Sequence, residues 1–164
     1  MKTSASLLVL AGFFVSAVCL NGPFSDRPAG SILSAAPLSA RTAEGPEIVE
    51  DSMHEFMEYV FQPTYRRLKV SMAGEPNDNK GWKAVKSDSL ILAESCNLLF
   101  ARLPEENTDD WVHHATASRV DGAALYQAAR AKDFVKATSA YKSMLNNCNA
   151  CHRQFENGKH ILEP

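Results

Sequence analysis

The chain has no alternating polar–apolar run of useful strand length and no internal repeat. It therefore offers nothing from which a sheet or a solenoid would be built. It also lacks an excess of charge of one sign: 17 Lys and Arg against 19 Asp and Glu give a formal net charge of -2. No basic footprint for a nucleic-acid partner follows from that balance. Cysteine is scarce, with four residues in 164, and three of the four lie beyond position 95. No nucleophile–base pair and no carboxylate dyad stands out, so the chain is not expected to be an enzyme. With 164 residues there is room for one ordinary domain and not comfortably for two.

What is present begins with an export signal. Lys2 forms a positive n-region, Leu7 to Phe14 opens an apolar h-region, and Val15-Ser16-Ala17 is a small-residue cleavage site, with Leu20-Asn21-Gly22 as a later one. The competing reading is a retained N-terminal membrane anchor, for which the stretch is short. Cys19 does not read as a lipidation site, because Val18 stands where a small residue is required. Residues 1–22 are thus expected to be a signal peptide and the protein periplasmic or otherwise extracytoplasmic. Their removal leaves 16 basic against 19 acidic side chains, a balance of -3. Residues 23–46, rich in Pro, Ala, Ser and Gly, read as a disordered tether.

Helical periodicity takes over from about residue 47. The first helix is expected over Glu47 to Ala73, with Met53, Met57, Val60, Phe61, Thr64, Leu68 and Met72 on one stripe and a kink or break at Pro63. The second spans Lys80 to Leu103, with Trp82, Ser89, Cys96 and Leu103 at one heptad position and Val85, Leu92 and Leu99 at another. The third starts near Thr108 as N-cap. Its seam of Trp111, Ala115, Ser118, Gly122, Leu125 and Ala129 is small enough for a close helix contact or for a bulky group. The fourth starts at the Asp133 N-cap and reaches about Asn157, with Phe134, Tyr141, Cys148 and Phe155 repeating every seven residues beside Thr138, Leu145 and His152. The fold class implied is all-α, an antiparallel four-helix bundle over residues 47–158 with a C-terminal tail at 159–164.

The chemistry sits in Cys148-Asn149-Ala150-Cys151-His152. This is the haem c attachment pattern. Residues three and four apart share a helix face, so both sulfurs and the imidazole project to one side. Cys148 and Cys151 would form thioethers to haem vinyl groups, and His152 would be the proximal iron ligand. A Cys-x-x-Cys pair also serves as a redox dithiol, a plain disulfide or half a zinc site. The first wants a preceding strand, and the zinc site wants two more ligands, for which Cys96 with His113 or His114 are the candidates. Elsewhere Cys96 reads as an inert buried thiol, His54, His113 and His114 as surface residues, and Arg66, Arg67 and Arg153 by default as surface residues, with pairing to haem propionates as the alternative.

The run from Cys148 to Phe155, with its aromatic three residues beyond the histidine, resembles the C-terminal signature of the class II, or cytochrome c′-type, cytochromes. The resemblance covers roughly residues 47–158. It implies a four-helix bundle with one covalent haem c on the last helix, Phe155 against the haem edge, and the first helix facing the distal side. Some members leave the sixth iron position open to small gases; others fill it with Met. Here Met57, and after it Met53, are the candidates for that ligand, and Met opposite His favours electron transfer. Pro63 and the preceding tether depart from the family pattern. The expected function is one-electron transfer to an unidentified redox partner protein. The rivals are a five-coordinate module binding nitric oxide or carbon monoxide, and a haem-free thiol or zinc protein. The resemblance also implies a homodimer through helical faces.

Overall fold

The computed structural model describes residues 47–164. The expected signal peptide (1–22) and tether (23–46) lie outside the described residues. Within them the chain is all-helical, with four helices packed together and no strand. None of these helices is long and apolar enough to cross a membrane.

Helix α1 occupies residues 53–72 in three pieces: an α-helical turn Met53–Phe56, a π-helical turn Met57–Phe61 and a regular stretch Gln62–Met72. It starts six residues later than the periodicity predicts. Ser52 sets the start by accepting a hydrogen bond from the Glu55 amide at 3.2 Å, while the Ser52 amide is taken by the Glu50 carboxylate. The Ser-x-x-Glu spacing is half of a capping box. Pro63 has no N–H to return to the previous turn. The helix does not break there; it widens, with the Gln62 amide reaching back five residues to the Met57 carbonyl.

Helix α2, Asn79–Ser95, starts at Asp78, whose carboxylate accepts the Gly81 amide at 2.7 Å. It tightens into a 3-10 segment, Cys96–Ala101. The heptad seam holds through Leu99, but Leu103 is 50% exposed, a correction to the expected core. The 3-10 segment changes the angular step and the helix stops at Arg102 before Leu103 comes round.

Helix α3, Thr108–Ala131, is not capped by Thr108 as expected. The cap position is Asn107, in the left-handed conformation at φ 58°, and Thr108 is the first helical residue, donating its hydroxyl to the Pro104 carbonyl. Lys132, at φ 55°, turns the chain, with the Asp133 amide returning to the Ala128 carbonyl. Asp133 then caps α4, Phe134–Phe155, by accepting the Lys136 amide at 3.0 Å, as its sequence position predicts. Hydrogen bonds link Asp121 of α3 to Ser143 and Asn147 of α4, and Asp110 to Gln154.

Extensive backbone approach joins α1 to α2, α2 to α3 and α3 to α4. At the α2–α3 crossing a Cβ on Gly122 would lie 3.1 Å from the Ala93 Cβ. The small-residue seam is there to let two backbones meet. The interior divides into two clusters. One gathers Leu68, Trp82, Val85, Leu92, Leu125, Tyr141 and Leu145; the other centres on Phe56, Cys96, Leu99, Trp111 and Ala115.

Candidate haem-attachment site

The Cys-x-x-Cys-His motif occupies the last two turns of α4, where the helix has positioned its seam inward. Cys151 packs against the second cluster, and so do Met53, Met57, Val60 and Phe155. The first and last helices thus bring both candidate methionines into the apolar cluster that receives Cys151. Cys148 points to the first cluster and donates its S–H towards Ser118 Oγ at 3.8 Å. Phe155 stands edge-on to Trp111 with ring centroids 5.0 Å apart, and the Trp111 indole N–H donates to the Leu99 carbonyl.

Cys96, Cys148 and Cys151 are all free thiols. Burial, reinforced by neighbouring Cys148, pushes the Cys96 thiol up to about 12. Burial and then Cys148 push Cys151 up to about 11, and burial also raises Cys148. Cys151 also stands about one turn from the C-terminal end of the helix, where the backbone dipole opposes a thiolate. Both motif cysteines are therefore held as protonated thiols at neutral pH.

His152 is half-buried, and burial lowers its pKa, so the neutral imidazole is favoured. Its Nδ1 lies 2.9 Å from the main-chain carbonyl oxygen of His160. A carbonyl only accepts, so Nδ1 carries the hydrogen. In the neutral ring Nε2 is then left with its lone pair, available as a ligand atom.

That carbonyl belongs to a C-terminal segment expected only as a tail. After α4 the Gly158 amide returns to the His152 carbonyl, with Asn157 and Gly158 both at positive φ. Residues 159–164 then fold back over the motif. Asn149, 6% exposed, donates through Nδ2 to the Leu162 carbonyl and accepts the Leu162 amide at Oδ1, at 2.9 and 2.7 Å. Tyr65 of α1 donates its hydroxyl to the Glu163 carbonyl at 2.7 Å and accepts the Glu163 amide at 3.1 Å. The His160 ring lies 6.3 Å from that of His54, centroid to centroid. The sequence gives Asn149 and Tyr65 no mark of this role. The available signals were a polar residue four after buried Leu145, a left-handed Asn157-Gly158 stop, and apolar Ile161-Leu162 beyond it.

The remaining candidates are placed elsewhere. Arg67 is committed to buried Asp88 through Nε and Nη2, at 3.0 and 2.8 Å, and so is not free for a propionate. Arg66 and Arg153 are exposed. His54 is exposed beside Glu58, His113 is exposed, and His114 is hydrogen-bonded to Gln154 on α4. Comparison with protein-family models, with curated proteins and with solved structures returns no match to this chain.

Proposed function

We propose that this chain is an exported monohaem c-type cytochrome, an antiparallel four-helix bundle of the cytochrome c′ type that transfers single electrons. The observation that carries the reading is the state of His152. Its Nδ1 is tied to a carbonyl, its ring is favoured neutral, and its Nε2 is free, which is the preparation a metal-ligating histidine receives from its surroundings. The donor set fits the group: two protonated, unpaired thiols three residues apart on the same helix would hold it through thioethers, with His152 as proximal ligand. Met57 or Met53, in the cluster that packs on Cys151, would supply a second iron ligand. Bound there, haem supplies an iron that cycles between ferric and ferrous states. The chain's own residues would limit water there: Trp111, Phe155 and Leu99 share the cluster that receives Cys151, and the C-terminal segment lies over the motif.

The thiols argue against the dithiol redox reading. A Cys-x-x-Cys catalyst needs a thiolate, made by a helix N-terminus or a nearby cation. Here both thiols are raised by burial and lie in the last two turns of their helix, away from its N-terminus.

The test is the visible spectrum of the purified protein, oxidised and reduced, with and without carbon monoxide. Sharp low-spin reduced bands that ignore the gas support His–Met ligation and electron transfer. A high-spin spectrum that shifts with carbon monoxide makes the protein a gas-binding module instead. A chain without Soret absorption overturns the cofactor assignment altogether. Replacing Cys148 and Cys151 with Ala should leave all haem extractable by acid–acetone.

A further inference from the structure

The segment after α4 makes contacts that a solvated tail does not need. Two side chains from different helices each hold one of its residues by a pair of main-chain hydrogen bonds. Asn149 holds Leu162, and Tyr65 holds Glu163. Asn149 is almost wholly buried, and its amide is satisfied by the Leu162 backbone in the way a neighbouring strand would satisfy it. Leu162 also packs against the first cluster. Extensive backbone approach does not join α1 to α4 among the described residues; this segment spans the two. Between Gly158, whose amide returns to the His152 carbonyl, and the double latch at 162 and 163, the chain sets the His160 carbonyl against His152 Nδ1. His160 does so from a left-handed backbone at φ 56°. A non-glycine residue in that region is uncommon and persists where its surroundings hold it.

We propose that residues 158–164 form a strap whose work is to orient His152, and that Asn149 and Tyr65 are positioning residues that hold the strap closed. The strap fixes the imidazole ring and its tautomer from the side away from Nε2. Its identity as a haem-ligand strap rests on the cytochrome reading above; its action on His152 does not. The side chain of His160 has no part in it, because the acceptor is main-chain.

The experiment uses the full chain, labelled with nitrogen-15, and reads the His152 imidazole nitrogens together with hydrogen exchange of the Leu162 amide. In the protein without covalent haem, Nδ1 should read as protonated and Nε2 as unprotonated at neutral pH, with the Leu162 amide protected. Asn149→Ala removes both partners of Leu162 and should speed that amide's exchange at least roughly tenfold. The His152 ring should then become a mixture of tautomers. Tyr65→Phe keeps the ring and removes one latch, so it should give a smaller change in the same direction without unfolding. His160→Gly keeps the carbonyl and relieves the positive φ, so it should leave the His152 tautomer as in the wild type.

Where the protein carries covalent haem, the wild-type strap makes His152 a stronger donor to ferric iron, and Asn149→Ala should raise the midpoint potential. An unchanged His152 tautomer and unchanged Leu162 exchange in both Asn149→Ala and Tyr65→Phe overturn the strap. Absence of covalent haem in the wild-type chain overturns only the cytochrome reading, and the tautomer measurement still decides the strap.

Discussion

Single residues carry the sharpest tests. Met53 and Met57 are both half-buried in the cluster that Cys151 joins, one helical turn apart on α1. If Met57 is the sixth ligand, Met57→Ala converts the reduced spectrum from low-spin to high-spin. Retention of the low-spin bands in that variant transfers the role to Met53. The Asp88 carboxylate, 5% exposed, has its hydrogen bonds from Arg67, and Arg67 also donates to Thr64. Arg67→Ala leaves a buried acceptor unpaired and should cost about 1–3 kcal/mol, read from the midpoint of urea unfolding. The Cys-x-x-Cys-His pattern was legible at this scale as a spacing that puts two sulfurs and an imidazole near one helix face. Asn149 was not, although it sits inside the motif, since an asparagine between two cysteines says nothing of a segment that returns from thirteen residues later.

Among the elements, the most exacting contact is the α2–α3 crossing. A methyl on Gly122 would meet the Ala93 side chain at 3.1 Å and its backbone at 3.3 Å, with neither able to retreat as a long side chain would. Gly122→Ala should therefore destabilise by about 1–3 kcal/mol, despite its better helix propensity. Calorimetry showing an equal or higher Tm would contradict that account. Seams and caps set by local chemistry were readable: Trp82, Val85, Ser89, Leu92, Cys96 and Leu99 are all buried, and Asp133 caps α4. Boundaries that depend on helix type were not. Leu103 leaves the core because a 3-10 segment precedes it, and nothing in Cys-Asn-Leu-Leu-Phe-Ala specifies that tightening over α geometry. The start of α1 was available in the Ser52-Met53-His54-Glu55 pattern and was masked by apolar Ile48 and Val49, which lie outside the helix.

For the whole molecule, the buried thiols link stability to alkaline pH. Cys96 has a folded pKa of about 12 against an ordinary 9.0, so between those values the unfolded chain loses a proton that the folded one keeps. Its stabilisation is complete below pH 9 and falls as pH rises towards 12, by up to about 1.4 kcal/mol per pH unit. Urea unfolding at pH 8 and pH 10.5 should show this decline, and Cys96→Ala should reduce it while lowering stability at pH 8 through the lost side chain. Cys151 adds a second such term only in chains whose Cys151 is a free thiol. Intact mass of the protein recovered from outside the cytoplasm tests the remaining global expectation: loss of the N-terminal residues through 17 or 22, and gain of one haem.

The widened turn at Met57–Phe61 gives α1 a property that a uniform helix lacks. Such a turn holds one residue more than its neighbours, which amounts to an insertion absorbed without breaking the helix. Deleting a single residue there would restore ordinary pitch and leave Met53 at nearly the same angle about the axis relative to Thr64, Leu68 and Met72, whereas straightening the turn at its present length would swing Met53 by about 100°. The widened turn therefore sets the phase between the half of α1 that packs on α2 and the half that faces Cys151. At the present chain length it is the widened turn, and not a substitution anywhere in the helix, that decides which side chains of its first turn meet the motif.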